Sequence, residues 1–190
     1  MGLWTALTGR SRVKRPNLDA LFGIPSAAIT LEAAAGFRPT GVGSVCFRAA
    51  TGAAYQQAQS EILALVHDDP DAPPAEVSQD EYGYTWLTVR ATPEDTAGLC
   101  TDLHAVNRTL ADQGFDSGLL CTLVPFADPA GRCFGLVYLY KAGTFYAFAP
   151  SGPQTRDHLL EIQVRDTLSG ELPMEQDLSR WLALWGAPGM

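Results

Sequence analysis

Residues 119–149 read LLCTLVPFADPAGRCFGLVYLYKAGTFYAFA, and this stretch decides the fold. It contains three β-rich runs, which are Leu119–Phe126, Arg132–Tyr140 and Thr144–Ala149. The links between these runs, Asp128–Gly131 and Lys141–Gly143, are short and rich in turn-forming residues. Links of this length join antiparallel neighbours, because parallel strands need a crossover of a dozen or more residues. The sequence therefore predicts a three-strand antiparallel meander.

Helical patterns flank the meander on both sides. Upstream, Thr92-Pro93 followed by two acidic residues is a typical helix start, and Gly114 marks the end of the element. Between them lies an apolar stripe at helical spacing, formed by Leu99, Leu103, Val106 and Leu110. Downstream, Arg156–Leu168 carries apolar residues at the same spacing. We therefore predict one helix before the meander and one after it.

The first ninety residues add further elements. Asn17 is a candidate N-cap for a short helix, and Ser26–Ala35 predicts a second helix, although Ile29–Leu31 could instead form a strand. Val42–Arg48 and Tyr82–Arg90 read as strands. Between these strands a surface helix is expected, with a buried stripe formed by Tyr55, Ile62, Leu63 and Val66.

The segment Asp68–Glu81 holds three prolines and six acidic side chains, so it predicts a loop or an irregular edge segment. With helices and strands in this order and no regular βαβ alternation, the sequence favours an α+β class. We expect a single α+β domain over residues 16–172, with a mainly antiparallel sheet packed against helices. Residues 1–15 form a basic leader, and residues 173–190 form a C-terminal tryptophan-bearing helix and tail.

The cysteines and the N-terminus indicate the compartment. None of the four cysteines forms a CxxC pair, which argues against a zinc ribbon or a thioredoxin-like site. The N-terminal charges follow the apolar residues, unlike a secretion signal, and no stretch reaches the roughly 20 apolar residues of a membrane span. We expect a cytoplasmic protein without disulfides.

Charge is unevenly distributed along the chain. The net charge is -8, but four of the 13 basic side chains lie in the first 15 residues, which contain no acidic one. The remaining chain has nine basic and 21 acidic side chains, a net charge of -12. An acidic body repels phosphate backbones, so nucleic acid is not an expected partner.

The leader itself suggests a weak contact with a membrane surface. It begins with an apolar face formed by Leu3, Trp4 and Leu7. A basic cluster follows, formed by Arg10, Arg12, Lys14 and Arg15. Each basic residue near an anionic leaflet contributes about 1 kcal/mol. The alternatives are a contact with an acidic protein and a disordered, solvated leader.

One helix face presents groups that could be catalytic. Cys100, His104 and Asn107 lie at i, i+4 and i+7. On one helix face the imidazole could activate the Cys100 thiolate, or the face could supply two ligands of a metal site. The same residues flank the apolar stripe by about a quarter turn, which favours the edge of a packed core. P-loop and GxSxG patterns do not occur. We expect no catalytic residue, no metal and no cofactor.

Two sets of aromatic residues are candidate partner-binding positions. Tyr138 and Tyr140 alternate on one strand face, where they could pack or, together with Trp86, line a peptide groove. Trp181 and Trp185 lie one helical turn apart in the tail. Docking of these tryptophans on the parent domain is favoured over partner anchoring, because monomers seldom expose so large an apolar patch.

The chain resembles the PspAB family, whose members are PspA-associated proteins found with the phage-shock envelope-stress system of actinobacteria. The resemblance extends over nearly the whole chain and rests on five segments: residues 16–22 (PNLDALF), 84–87 (YTWL), 101–107 (TDLHAVN), 136–150 and 177–189. It implies a cytoplasmic accessory or adaptor protein, with a PspA-like partner and no established catalytic residues. A chaperone-like module that cradles a peptide and an enzyme using Cys100 and His104 are the alternatives.

Overall fold

The computed structural model describes residues 16–48 and 75–190, together with the single positions 52, 53, 56, 57, 60 and 64. Positions 53, 56, 57, 60 and 64 are helical, in agreement with the surface helix predicted there, and the polar residues Gln56 and Ser60 are exposed. The leader, residues 1–15, lies outside the described residues. Its membrane contact therefore stays a prediction.

The described strands form a mainly antiparallel sheet. Its seven strands are β1 (Arg38–Pro39), β2 (Val42–Arg48), β3 (Glu76–Gln79), β4 (Tyr84–Arg90), β5 (Leu119–Ala127), β6 (Cys133–Leu139) and β7 (Thr144–Phe148). The order is β3-β4-β2-β5-β6-β7, and β1 also pairs with β5. A separate two-stranded ribbon is formed by β8 (Pro150–Gly152) and β9 (Thr155–Arg156). The predicted β5-β6-β7 meander and the α+β class are confirmed.

Helices cover one face of this sheet. They are α1 (Ile24–Ala35), α2 (Thr96–Leu110) and α3 (His158–Leu168), and a 3-10 helix (Leu18–Gly23) precedes α1. The predicted stripe on α2 is buried, and Gly43 of β2 allows the close approach, because a Cβ there would lie 2.7 Å from Leu103 Cδ1. The main core therefore lies between the helices and this face.

The start of α2 differs from the sequence prediction. The helix begins at Thr96 and not at Pro93, and its N-cap is Asp95 and not Thr92, with a side-chain oxygen of Asp95 accepting from the Gly98 N–H at 2.8 Å. The Asp95 N–H bonds the Thr92 carbonyl at 3.0 Å, so Thr92 belongs to a preceding turn. Asn17 also makes no side-chain cap. Its carbonyl accepts from the Tyr138 hydroxyl instead.

The opposite face of the sheet carries a second apolar cluster. The sheet contributes Cys46, Trp86, Cys121, Leu123, Val137, Tyr146 and Phe148. The C-terminal segment covers this cluster with Trp181 and Ala187, which are both buried. The sheet is therefore packed on both faces, by helices on one and by the chain end on the other.

The C-terminal segment does not form the predicted helix. Only Leu178–Arg180 is helical, as a 3-10 turn, and Trp181 already has a non-helical backbone with φ -81° and ψ 78°. Tertiary contacts are the cause. The backbone carbonyls that would accept hydrogen bonds within a helix accept them from distant side chains instead. Arg156 donates to the Trp181 carbonyl at 2.6 Å, and the Tyr146 hydroxyl donates to the Leu182 carbonyl at 2.9 Å.

The Leu18–Ala35 segment is long and apolar enough to cross a membrane by length and composition alone. In this fold it packs against the main core, where Leu21, Ile24 and Leu31 are buried. Only 28% of the segment is buried, with one apolar face on the core and side chains such as Ile29 exposed, as in an amphipathic surface helix.

Candidate partner-binding groove

A groove of about 1010 Å³ runs along the edge of the second apolar cluster, between the sheet and the C-terminal segment. We call it the tail groove. Its lining comprises Arg48, Tyr82, Tyr84, Leu119, Leu120, Cys121, Leu139, Lys141, Ala142, Tyr146, Ser179, Arg180, Leu182, Ala183, Leu184 and Trp185. Most of these side chains are apolar or aromatic, as in sites that bind a partner by burial.

The floor of the tail groove follows from strand register. Cys121 lies opposite Cys46 on one side and opposite Leu139 on the other, so these three side chains form one row across β2, β5 and β6. A hydrogen bond between the two thiols, and then their burial, raises the pKa of Cys46 far above its ordinary value. Cys46 is therefore uncharged at neutral pH.

One wall is the turn between β3 and β4. Asp80 organises this turn, because one carboxylate oxygen accepts from the backbone N–H groups of Tyr82 and Tyr84 at 3.0 and 2.9 Å. The other oxygen accepts from Trp86 Nε1 at 2.9 Å. Tyr82 is held at the rim with 55% of its surface exposed. A mainly solvent-exposed tyrosine beside an apolar floor is typical of a binding surface.

The other wall is the C-terminal segment, which Trp181 anchors. Its indole Nε1 donates to the Glu175 carbonyl at 3.1 Å, and its ring stacks on Tyr146 with centroids 6.0 Å apart. Trp185 packs edge-on against Phe148 at 4.9 Å while remaining half-buried. Trp181 thus docks as expected, and Trp185 lines the tail groove.

Three cations lie in the lining: Arg48, Lys141 and Arg180. None of the described lining residues is an aspartate or a glutamate. Lys141 Nζ donates to the Ser117 carbonyl at 2.8 Å, and the Arg48 backbone N–H donates to the adjacent Gly118 carbonyl at 2.9 Å. The Lys141 ammonium and the Arg48 backbone therefore meet at this turn, in a protein whose net charge is -8.

Three of the predicted partner-binding residues are buried elsewhere. Trp86 lies beneath the tail side of the sheet, whereas Tyr138 and Tyr140 belong to the core on the helix side. Burial raises the pKa of Tyr138 to about 12, and its hydroxyl donates to the Asn17 carbonyl at 2.9 Å. The two tyrosines therefore pack in the core, as the packing interpretation of the sequence expected, and they are buried from a partner in this conformation.

The helix face with Cys100, His104 and Asn107 also serves packing. Cys100 is fully buried, and burial raises the pKa of its thiol to about 12. Asn107 is buried as well, and its Nδ2 donates to the Leu103 carbonyl at 2.8 Å and to Thr122 Oγ1 at 2.9 Å. His104 packs against Phe22, with ring centroids 5.0 Å apart. A buried thiol with a raised pKa is a poor nucleophile.

Across residues 16–48 and 75–190 and the few described positions between them, no group of three or more histidine, cysteine or acidic side chains is placed to hold an ion. The prediction of no cofactor remains a prediction.

Sequence reasoning missed most of the tail groove. Of its lining residues, only Trp185 was a predicted site residue. Leu139 and Tyr146 could have been found, because alternation on β6 and β7 places them on the face opposite Tyr138. Arg48 and Lys141 carry no such signal, since they meet only through the turn at Ser117 and Gly118.

Comparison with known proteins identifies a family. The family model described as PspAB: PspA associated protein B matches residues 1–189. No curated protein and no solved structure shows a match.

Proposed function

We propose that this chain, which belongs to the PspAB family of PspA associated proteins, is a non-catalytic accessory protein that binds a PspA-type partner in a phage-shock envelope-stress response. The observation that carries the proposal is the tail groove. It combines an apolar floor, a half-buried tryptophan and an exposed tyrosine, the residue types that dominate binding energy at protein interfaces. The family description supplies the identity of the partner class.

The proposed location is the cytoplasm, at the inner face of the membrane. The basic leader supports this part of the proposal, because Arg10, Arg12, Lys14 and Arg15 could add about 4 kcal/mol of attraction to an anionic leaflet. The acidic remainder of the chain opposes that attraction. The contact is therefore weak and salt-sensitive. Nucleic acid is not a proposed partner, because the same acidic remainder repels phosphates.

Affinity purification from the native host under membrane stress tests the proposal. The tagged full chain is expected to enrich a PspA-type protein over a tag-only control. A chain beginning at Pro16 should keep that partner and lose only salt-sensitive retention on anionic vesicles, since the partner groove lies in the described domain. No enrichment of a PspA-type protein by either chain would contradict the binding function. Equal vesicle retention of both chains would contradict the leader contact.

The competing proposal of an enzyme using Cys100 makes a different prediction about thiol chemistry. A rise of the thiol pKa from 9.0 to about 12 lowers the thiolate fraction at neutral pH about a thousandfold. We expect native protein at pH 7.5 to react with iodoacetamide first at the half-buried Cys133, and at Cys100 only after unfolding. Mass spectrometry of alkylated peptides, with Cys133→Ser as control, measures this order. Faster alkylation of native Cys100 than of a free thiol would favour the enzyme.

A further inference from the structure

We infer that the tail groove binds a helical segment of its protein partner, with an apolar face flanked by acidic side chains. The inference rests on the proposed binding function and specifies its chemistry. Three properties of the groove carry it: the pairing of its strands, its size and its charge.

The pairing of the strands excludes strand addition. The strands that line the groove are β2, β4, β5, β6 and β7. The first four have a hydrogen-bonded neighbour on both sides, and at the outer edge of β7 the Phe145 backbone already bonds Pro173 and Glu175. An extended peptide lying over them would bury backbone N–H and C=O groups without partners, which costs free energy. A helix satisfies these groups internally. The groove therefore favours a helical occupant over an extended one.

The size of the groove suits a short helical segment. A helix with its side chains is about 10–12 Å in diameter and rises about 5.4 Å per turn, so two turns fill roughly 1000 Å³. The groove measures about 1010 Å³. Two turns present three or four apolar side chains on one face, enough to cover Leu120, Leu139 and Leu184.

The charge of the groove sets the polar flanks of the occupant. Arg48 makes no ion pair with a described carboxylate, and Lys141 contacts a neutral carbonyl. Arg180 is 3.6 Å from the carboxylates of Glu175 and Asp177, which offset its charge, so the positive end of the groove is the one with Arg48 and Lys141. A local positive field on an acidic protein attracts acidic side chains and repels basic ones. The flanks of the bound helix are therefore acidic.

Two synthetic helical peptides of about four turns test this inference. Both carry leucines at i, i+3, i+4 and i+7, and the flanks are glutamate in one and lysine in the other. Fluorescence anisotropy with the full chain should show about tenfold tighter binding of the glutamate peptide at low salt, and the difference should shrink as salt is added. The net charge of -8 attracts the lysine peptide nonspecifically, so the expected preference must originate in the groove.

Charge reversal in the groove, R48E/K141E/R180E, should invert the preference. The control R38E/R90E/R108E changes the net charge equally at positions outside the lining and should leave it intact. Both triple variants change exposed side chains, and a thermal melt of each checks that it folds. An equal effect of the two variants would overturn the inference, and so would equal affinity for the two peptides.

Two further outcomes separate this inference from the function on which it rests. In the first outcome, the unmodified chain binds oleate-containing vesicles, R48E/K141E/R180E does not, and neither peptide binds. This result would assign the groove to an anionic lipid and overturn the inference. Retention of the native partner by the same variant during purification from the host would also overturn it, yet leave the binding function standing. Failure of the unmodified chain to enrich any PspA-type partner would instead remove the function itself.

Discussion

A chain ending at Leu172 should lose its cooperative unfolding transition. Residues 173–190 cover the second apolar cluster on one face of the sheet, and their removal exposes Trp86, Tyr146 and Phe148, which are now at most 2% exposed. Domains are stabilised by only about 5–15 kcal/mol in total. Exposure of several large apolar side chains removes a comparable amount. Circular dichroism during thermal and urea unfolding measures the loss.

The single substitution Trp181→Ala tests the same contribution of the C-terminal segment to stability, in a protein whose unfolding transition can still be measured. Trp181 is 6% exposed, stacks on Tyr146 and donates a hydrogen bond to the Glu175 carbonyl. Truncating a buried tryptophan costs about 3–5 kcal/mol of unfolding free energy. Trp185→Ala is the matched control, because that side chain is half-buried and should cost about 1–2 kcal/mol. Equal and small losses for both substitutions would show that the segment does not stabilise the domain.

The meander and α3 were predictable because their signals are local. Asp128–Gly131 and Lys141–Gly143 are turn sequences, and Gly131 and Gly143 have positive φ values of 83° and 70°. Asp157 lies before α3 and caps it by accepting from the Leu160 N–H at 3.0 Å. Such information lies within a few residues of the element, where sequence reasoning is strongest.

The C-terminal segment was mispredicted because its conformation depends on distant residues. The spacing of Leu178, Trp181 and Trp185 is helical, but Arg156 and Tyr146 bond the backbone carbonyls of this segment. Tertiary hydrogen bonds of this kind override local propensity. The tail groove was missed for the same reason, because its walls meet only after the chain end has packed on the sheet.

The buried ion pair of Arg156 and Glu161 predicts a second large effect. Glu161 is 0% exposed, and its carboxylate accepts from Arg156 Nε at 2.8 Å and from the Ala149 N–H at 2.9 Å. Glu161→Ala leaves the guanidinium largely buried without its counter-charge, so we expect a loss of about 3–5 kcal/mol of unfolding free energy. Urea denaturation measures this loss.

Two control variants separate the charge from the packing. His158→Ala removes a contact to the same carboxylate from a side chain that is 77% exposed, and it should cost less than about 1 kcal/mol. The pair R156M/E161M removes both charges at similar volume and should cost less than Glu161→Ala alone, although the Ala149 N–H and the Trp181 carbonyl lose their side-chain partners. A loss for Glu161→Ala no larger than for His158→Ala would contradict the role of the pair.

The same ion pair should control the wall of the tail groove. Arg156 is held by Glu161 through Nε and donates through Nη1 to the Trp181 carbonyl at 2.6 Å, so one guanidinium joins the buried carboxylate to the anchor of the C-terminal segment. Without Glu161 this guanidinium loses the contact that orients it toward the Trp181 carbonyl. We therefore expect Glu161→Ala and Trp181→Ala to be non-additive, with a coupling of about 0.5–3 kcal/mol in a double-mutant cycle. Hydrogen exchange at the Trp181 indole should also accelerate in Glu161→Ala beyond the change in global stability. Additive losses with an unaccelerated indole would show that Glu161 stabilises the sheet edge alone and leaves the groove wall independent of it.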